Sequence, residues 1–286
     1  MKRILKALAA SVLTTCLAGC GAEVSQISDA SVPVVTIGST DIKKSDAYSR
    51  LVSSAGEFAA VSDAKSTAAG KEIKTTDEIR QTAQDSLNGY KADLGSWFNS
   101  YLDLLGMSED DYMKKIMIPT VKTGRLPEKY IEGHAGDIVK NYKPVLADWI
   151  PVIDVSAASS LKDELSADGA DPSAIASSHG MTCMQNTVVC TASSEDSGID
   201  KSIRSYLYEA EEGQWSIVEG ASSTYVVRLD QKLDEDGVKE HKADLAANPQ
   251  IVAESTSYYC KKYNFKINDQ NLYNAIKAAN PECIVD

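Results

Sequence analysis

Histidine is scarce in this chain, which limits the acid–base and metal chemistry that the chain can perform. The three histidines of the 286 residues are His134, His179 and His241. His179 lies close to Met181, Cys183 and Met184, and thioether, thiol and imidazole ligands together would suit a copper ion. An exposed loop histidine beside a disulfide is the simpler interpretation. The sequence therefore predicts no metal site and no cofactor.

The N-terminus has the layout of a secretion signal. Three basic residues among the first six precede a small and apolar run over residues 7–19, which is too short to span a bilayer as a permanent helix. The run ends in Leu17-Ala18-Gly19-Cys20, which resembles the lipobox of bacterial lipoproteins. That resemblance implies cleavage before Cys20 and a lipid on Cys20 that anchors the mature chain. The alternative is an ordinary signal peptide that contains a cysteine.

The mature, exported chain would keep an even number of cysteines. After removal of the signal and lipidation of Cys20, the remaining ones are Cys183, Cys190, Cys260 and Cys283. Disulfides persist outside the cytoplasm, so two bridges with three possible connectivities are expected. The local pairing of Cys183 with Cys190 and of Cys260 with Cys283 is favoured. Four buried thiols are the alternative, and a zinc site is disfavoured because neither pair has zinc-ligand spacing.

The charge balance excludes whole classes of partner. The chain has 29 basic and 41 acidic residues, a formal charge of −12, and loss of the three basic signal residues leaves −15. An acidic chain without a basic run does not bind nucleic acid by neutralising phosphates, nor anionic lipid by a polybasic segment. At 43% hydrophobic residues the composition is that of a globular protein, and the length predicts about two domains.

Aromatic and methionine side chains concentrate in one segment of the chain. The members are Trp97, Phe98, Tyr101, Met107, Tyr112, Met113 and Met117. They have two interpretations. They pack as an ordinary helical core, or some of them line a surface for unfolded chains, since such side chains adapt to varied apolar partners.

Local patterns predict helices at both ends and a mixed middle. Residues 34–37 indicate a short strand, and Ser45 indicates the start of a helix. Thr76 opens a long helix, Gly106 ends the helical run, and Ser108 caps the next helix. Pro119 bends or ends that helix, and a further helix is expected from about 127 to 142.

The middle of the chain alternates strands with helices. A strand is predicted over 150–155, helices over 159–167, 172–178 and 199–211, and a loop over 179–198. Two β-rich runs flank the turn at 220–223, which predicts a hairpin. The last part of the chain is helical, with a final helix capped by Asn268 or Asp269.

The order of these parts resembles a known family. After the lipobox come a strand-turn-helix opening over Val35–Tyr48, helices leading to Gly106–Tyr112, a β/α insert, and a closing segment over Tyr258–Asp269. This layout resembles the PrsA-type lipoprotein foldases, relatives of the periplasmic chaperone SurA. The resemblance covers most of the mature chain, and the order of the parts carries it more than any single motif.

The resemblance implies an α+β fold: a mainly helical chaperone domain, discontinuous in sequence, with an inserted parvulin-like α/β domain of the peptidyl-prolyl isomerase type. The corresponding divisions are a signal peptide over 1–19, a tether over 20–31, helical-domain parts over 32–145 and 234–286, and the insert over 146–233.

The insert departs from the pattern of active parvulins. Those enzymes carry a histidine on the first strand and another on the last strand, and the surrounding pattern places Trp149 and Tyr225 at these positions. The Gly-Gly-Asp-Leu-Gly stretch of the family is missing, and no phenylalanine lies between Phe98 and Phe265. Prolyl isomerisation has a barrier of about 20 kcal/mol and needs a shaped pocket. These positions therefore predict a degenerate isomerase domain with no catalytic residue.

The sequence-based hypothesis is an extracytoplasmic foldase, anchored by lipid in the cell membrane of a Gram-positive bacterium. Its expected partners are unfolded or newly exported polypeptides, with a homodimer left open. An active parvulin isomerase and a lipoprotein that binds a solute or the cell wall are the alternatives.

Overall fold

The structure is a computed structural model that describes residues 27–152, 155–193 and 198–285. The predicted signal peptide and the predicted lipidation site at Cys20 lie outside the described residues. Within the described part of the chain, no helix combines the length and the apolar composition that crossing a membrane requires.

Helices dominate the described chain. The strands are β1 (Pro33–Ile37), β2 (Thr40–Lys43), β3 (Pro144–Val152), β4 (Met184–Cys190), β5 (Trp215–Glu219) and β6 (Thr224–Lys232). The helices are α1 (Lys44–Leu51), α2 (Glu57–Glu72), α3 (Asp77–Leu94), α4 (Trp97–Leu105), α5 (Glu109–Tyr112), α6 (Ile118–Gly124), α7 (Leu126–Gly133), α8 (Ala135–Tyr142), α9 (Val155–Leu165), α10 (Pro172–Ser178), α11 (Lys201–Glu209), α12 (Glu235–Glu240), α13 (Lys242–Leu245), α14 (Pro249–Lys262) and α15 (Gln270–Ala279). The α+β class is confirmed.

The chain divides into two compact units. One combines Met1–Ala64 with Cys260–Asp286, and the other is the continuous stretch Lys65–Tyr259. One unit is therefore discontinuous, but its bounds differ from the expected helical-domain parts 32–145 and 234–286. The sheet of the expected insert runs from Pro144 to Lys232. The assignment of a separate insert over 146–233 stays a prediction.

The smaller unit contains a hairpin and the two ends of the chain. Strands β1 and β2 pair antiparallel, so the sequence-based reading found the first strand but missed the second. A π-helical turn over Val52–Gly56 joins α1 to α2. Val61, Cys260, Ile276 and Cys283 form its buried cluster.

Helix boundaries in the larger unit follow the predicted capping residues. Thr76 Oγ1 accepts a hydrogen bond from the Ile79 amide at 3.3 Å, and Ser108 Oγ accepts one from the Asp111 amide at 3.1 Å. Gly106 ends α4 with a φ of 63°, a left-handed conformation that costs glycine little. A π-helical turn over Met113–Met117 directly precedes α6, which has a proline in its first turn. The predicted helix ends at Thr76, Gly106 and Ser108 are confirmed, whereas Pro119 lies in the first turn of α6 and does not end a helix.

A four-stranded antiparallel sheet forms the middle of the larger unit, in the order β4-β3-β6-β5. The hairpin between β5 and β6 is confirmed, and its turn closes with the Gly220 amide donating to the Ser223 carbonyl at 2.8 Å. The prediction of a loop over 179–198 is wrong for β4. Its first half, Met184-Gln185-Asn186-Thr187, is polar and largely exposed, so the segment lacks the apolar pattern of a central strand.

The two faces of the sheet pack against different helices. Trp149, Val227 and Leu229 pack with Ile203 and Leu207 of α11 on one face. On the other face, a second cluster joins strand residues to α9 and α10 through Ile150, Leu161, Ala176, Trp215 and Val226. Alternate residues of one strand point to opposite faces, which is why neighbouring residues of β3 belong to different clusters.

The favoured pairing of Cys183 with Cys190 does not fit the strand. Cys183 precedes β4 and Cys190 ends it, so roughly 20 Å of extended chain separates them. A disulfide needs Cα atoms within about 7 Å, and Cys183 is a free thiol. Cys260 and Cys283 share one buried cluster, and their pairing stays a prediction.

Replacing Leu207 with alanine tests the packing of α11 on the sheet. Leu207 is fully buried against β3 and β6, and such a truncation lowers the free energy of unfolding by about 2–5 kcal/mol. Ser205→Ala on the exposed side of the same helix is the control, expected within about 0.5 kcal/mol of the parent. Urea denaturation measures both, and equal stability of the two variants would contradict this packing.

Candidate functional site

The two positions matched to parvulin histidines lie on the same face of the sheet. Trp149 is buried in the cluster formed with α11, and Tyr225 is half-buried against that cluster. The Tyr225 hydroxyl donates to Asp200 Oδ2 at 3.3 Å, and Asp200 caps α11 by accepting from the Ser202 amide. The structure thus brings the two residues into one apolar cluster. An indole and a phenol there do not offer the ring nitrogens of a facing histidine pair.

The opposite face of the sheet carries a charged cluster that sequence reasoning missed. Asp148 on β3 is only 2% exposed. Its Oδ2 accepts from Arg228 Nη2 at 2.7 Å, and its Oδ1 accepts from the Asn186 amide at 2.8 Å. Arg228 also donates through Nε to Asp230 and lies 4.8 Å from the centre of the Trp215 ring. One guanidinium therefore holds two carboxylates.

The surroundings of this cluster shift two pKa values. Burial and then the negative charge of Asp148 raise the pKa of Asp230 to about 6, against the lowering effect of Arg228. Burial and then Asp148 raise the pKa of the Cys183 thiol to about 11. A thiol with so high a pKa stays protonated at neutral pH and is a poor nucleophile. The cluster therefore has the character of a structural ion network rather than of a nucleophilic centre.

The signal for this cluster was present in the sequence but was ambiguous. Asp148 interrupts an apolar strand, and Arg228 and Asp230 alternate with apolar residues of β6. Alternation of this kind is also typical of a solvent-facing strand side. Only the pairing register, which sets Asp148 opposite Arg228, shows that the charges face each other.

The predicted client-binding residues separate into two groups. Phe98, Tyr112 and Met117 are buried core residues that pack with Ala83, Leu87 and Leu102, and Met107 and Met113 lie partly buried at the edge of that core. Trp97 and Tyr101 instead face solvent, and Trp97 is 74% exposed. The core interpretation is thus correct for part of the segment, and an exposed surface remains for the other part.

The exposed members continue into a longer surface that we call the apolar stripe. Its residues are Tyr90, Leu94, Trp97, Tyr101, Leu104 and Leu105. A spacing of three or four residues places Tyr90 and Leu94 on one side of α3, and Trp97, Tyr101 and Leu104 on one side of α4. Gly95, with a φ of 51°, and Ser96 separate the two helices. Leu104 is 83% exposed. The more covered members are Leu94, Tyr101 and Leu105, at 39–40% exposure, and the Tyr101 ring contacts the Tyr112 ring edge-on with the centroids 6.0 Å apart.

Among the described residues there is also no cluster of three histidine, cysteine, aspartate or glutamate side chains that could hold a metal ion. His179, which the copper hypothesis used, has its Nε2 3.0 Å from Glu164 Oε2. Of the features described above, the apolar stripe is the candidate for function, and the charged cluster is a structural network.

Replacing Asp230 with asparagine tests the charged cluster through pH. The folded chain holds the Asp230 proton to about pH 6, whereas an unfolded aspartate loses it near pH 4. Between these values the folded state binds more protons, so this group makes the fold less stable as pH rises. The quantity to compare is the free energy of unfolding of the parent minus that of Asp230→Asn. We expect this difference to fall by on the order of 2 kcal/mol from pH 4 to pH 7.

Chemical denaturation at a series of pH values measures this difference. Asp236→Asn is the matched control, because the Asp236 side chain is 93% exposed and its removal leaves the cluster intact. If the difference between the parent and Asp230→Asn changes with pH no more than the difference between the parent and Asp236→Asn, then Asp230 does not titrate in the cluster.

Comparisons with known proteins give matches among solved structures only. No protein-family model matches the chain, and no curated protein matches it. The peptidylprolyl isomerase PrsA of Bacillus cereus is 21% identical, with 87% of this chain and 98% of that chain covered and a TM-score of 0.40. The foldase protein PrsA of Streptococcus pneumoniae is 14% identical over 86% and 98% of the two chains, with a TM-score of 0.39.

PrsA of Bacillus subtilis is 16% identical, with 87% of this chain and 99% of that chain covered and a TM-score of 0.37. The chain is thus similar, at low identity and over most of its length, to PrsA proteins of several Gram-positive bacteria. These are the proteins that the order of its sequence elements resembles.

Proposed function

We propose that this protein is an extracytoplasmic foldase that holds unfolded exported polypeptides, and that a lipid on Cys20 anchors it to the cell membrane. The observation that carries the proposal is the apolar stripe. Six large apolar side chains on the consecutive helices α3 and α4 remain exposed. Contiguous apolar surface of this kind marks an interaction site in a soluble protein.

The stripe has the chemistry that a binder of varied sequences needs. Covering a single large apolar side chain contributes about 1.5–3 kcal/mol, so a client segment that covers several of them gains useful affinity without one specific contact. Tyrosine and tryptophan supply broad contact area with few rotatable bonds. Such a surface recognises apolarity rather than a particular sequence.

Charged residues lie on the same helices as the stripe and close to them. Lys91 and Glu109 form an ion pair at 2.9 Å near the ends of α3 and α5, and Asp93 and Asp103 are exposed on α3 and α4. An apolar centre with a polar rim is the usual composition of a binding surface. The net charge of −15 expected for the mature chain also keeps copies of the protein apart in solution, so the stripe is available to clients.

The insert is proposed to serve without isomerase activity. Trp149 fills the apolar cluster where the parvulin resemblance would place a histidine, and the Tyr225 hydroxyl is engaged with Asp200. A twisted prolyl amide would need polar groups and a cavity at this face of the sheet. The packing around Trp149 supports a structural or client-binding role for this domain.

Weakening the stripe should reduce the holding of unfolded protein. Trp97→Ser with Leu104→Ser removes two side chains that are 74% and 83% exposed, so we expect the fold to be retained and the affinity for clients to fall about tenfold or more. Light scattering of aggregating reduced insulin measures the effect, with residues 21–286 of the parent expected to suppress it at several-fold excess.

The matched control replaces Phe58 and Leu51 with serine. These side chains are 74% and 68% exposed in the smaller unit, so the control removes similar apolar surface outside the stripe. Equal loss of suppression in both double variants, or no suppression by the parent, would overturn the assignment of the stripe.

The parent chain is expected to leave prolyl isomerisation at its uncatalysed rate. A protease-coupled assay on a proline peptide should show relaxation over about 10–100 s with and without residues 21–286. An active parvulin in the same assay is the positive control, and circular dichroism verifies that the tested chain is folded. A clear rate increase would favour the alternative function, an active peptidyl-prolyl isomerase.

A further inference from the structure

A cavity of about 440 Å³ lies beside β4 in the larger unit. Its lining comes from two sides: residues of β4 on one side and, on the other, α13 with the turn that follows it. The facing helical residues include Ala243, Asp244 and Ala247, and the two alanines are exposed. Their small side chains leave the space between the helix and the strand unfilled.

The cavity meets β4 along its edge rather than on one face. The consecutive residues Asn186, Thr187 and Val188 all line it. Asn186 lies in the bulge of β4, but Thr187 and Val188 pair in register with β3. Successive side chains of a strand point to opposite faces of a sheet, so a cavity that touches both residues runs along the strand itself. In the strand order β4-β3-β6-β5, this edge has no neighbouring strand among the described residues.

The pairing register shows which backbone groups point into the cavity. The Thr191 amide donates to the Lys143 carbonyl at 3.4 Å, and Leu146 is opposite Val188. Hydrogen-bonded and non-hydrogen-bonded pairs alternate in an antiparallel ladder, so Val188 belongs to a non-hydrogen-bonded pair. Its N–H and C=O therefore point away from β3, toward the cavity.

One protection of an edge strand is present in β4 and others are missing. A bulge interrupts the strand at Asn186, which has a φ of 49°. Native sheets also discourage pairing at their edges with charged residues or proline, and Met184-Gln185-Asn186-Thr187-Val188-Val189-Cys190 contains neither. The other edge strand, β5, ends in a glutamate. Beyond the bulge, the edge of β4 from Thr187 to Cys190 therefore carries no residue that discourages an added strand.

We propose that this cleft binds a short extended segment of unfolded polypeptide, which pairs with the outer edge of β4 as a fifth strand. The pairing would centre on Val188, because the Asn186 amide already donates to Asp148 and the Cys190 carbonyl already accepts from the Ser193 amide. Backbone pairing supplies affinity without demanding one sequence. Asp244, whose side chain is 64% exposed, favours segments with basic side chains. This proposal rests on the proposed role in binding unfolded chains.

A peptide of alternating lysine and valine, labelled with fluorescein, is a direct probe. Fluorescence anisotropy should show that it binds to residues 21–286, and that Ala243→Trp with Ala247→Trp weakens binding about tenfold or more by filling the cleft. Ala278→Trp, at an exposed alanine of α15, is the control and should bind as the parent does. Two N-methylated forms of this peptide, methylated on one or the other set of alternate residues, each lack the amide N–H groups along one edge. The form whose methylated edge faces β4 should lose binding.

The outcomes separate this site from the stripe. The peptide should still bind to Trp97→Ser with Leu104→Ser, and the cleft variant should still suppress insulin aggregation. Equal binding of the peptide and both of its N-methylated forms would overturn strand pairing. If the two tryptophans leave peptide binding unchanged, the peptide binds elsewhere and the proposal is wrong. If the protein binds no peptide but forms a dimer that the two tryptophans disrupt, a second copy of the chain occupies the cleft instead.

Discussion

Strand β3 is paired along both edges, and this constraint determines much of the larger unit. Each of its side chains points either to the face of the sheet covered by α11 or to the face covered by α9 and α10. Most of these side chains are therefore buried. Trp149 therefore enters an apolar cluster, and Asp148 is buried on the opposite side. A buried carboxylate without a partner would cost several kcal/mol, so Arg228 on the adjacent strand is required. The position of Arg228 in turn brings Asp230 into the same network.

The two proposed binding surfaces complement each other because they recognise different parts of an unfolded chain. The apolar stripe would contact side chains, and its affinity would grow with the apolar area that a client covers. The edge of β4 would contact backbone, which every unfolded chain presents in the same form. Neither mode requires a nucleophile, a metal or a cofactor. Both tolerate variation of sequence, which a protein that handles many exported clients needs.

Sequence patterns located most helices because capping and stop residues act locally. Thr76, Gly106, Ser108 and Asp269 all mark helix ends where they were predicted. Strand β4 was not predicted because its partner, β3, is distant in sequence and its own first half is polar. The same limit applies to the functional residues. Whether an apolar side chain of α4 is core or surface depends on which side α3 and α5 cover, and Asp148 gains its meaning only from the register with β6.

Two weak surfaces on one body are a physically reasonable way to hold a client and still release it. A client bound at the proposed stripe would present its remaining chain to the β4 edge at a raised effective concentration, so joint occupancy could exceed either affinity without a new contact. Each single contact could then be weak and exchange quickly. As the client folds, it would bury its own apolar side chains and pair its own backbone, and it would lose both kinds of contact together. On this proposal, release follows from folding itself and needs no energy source in this chain.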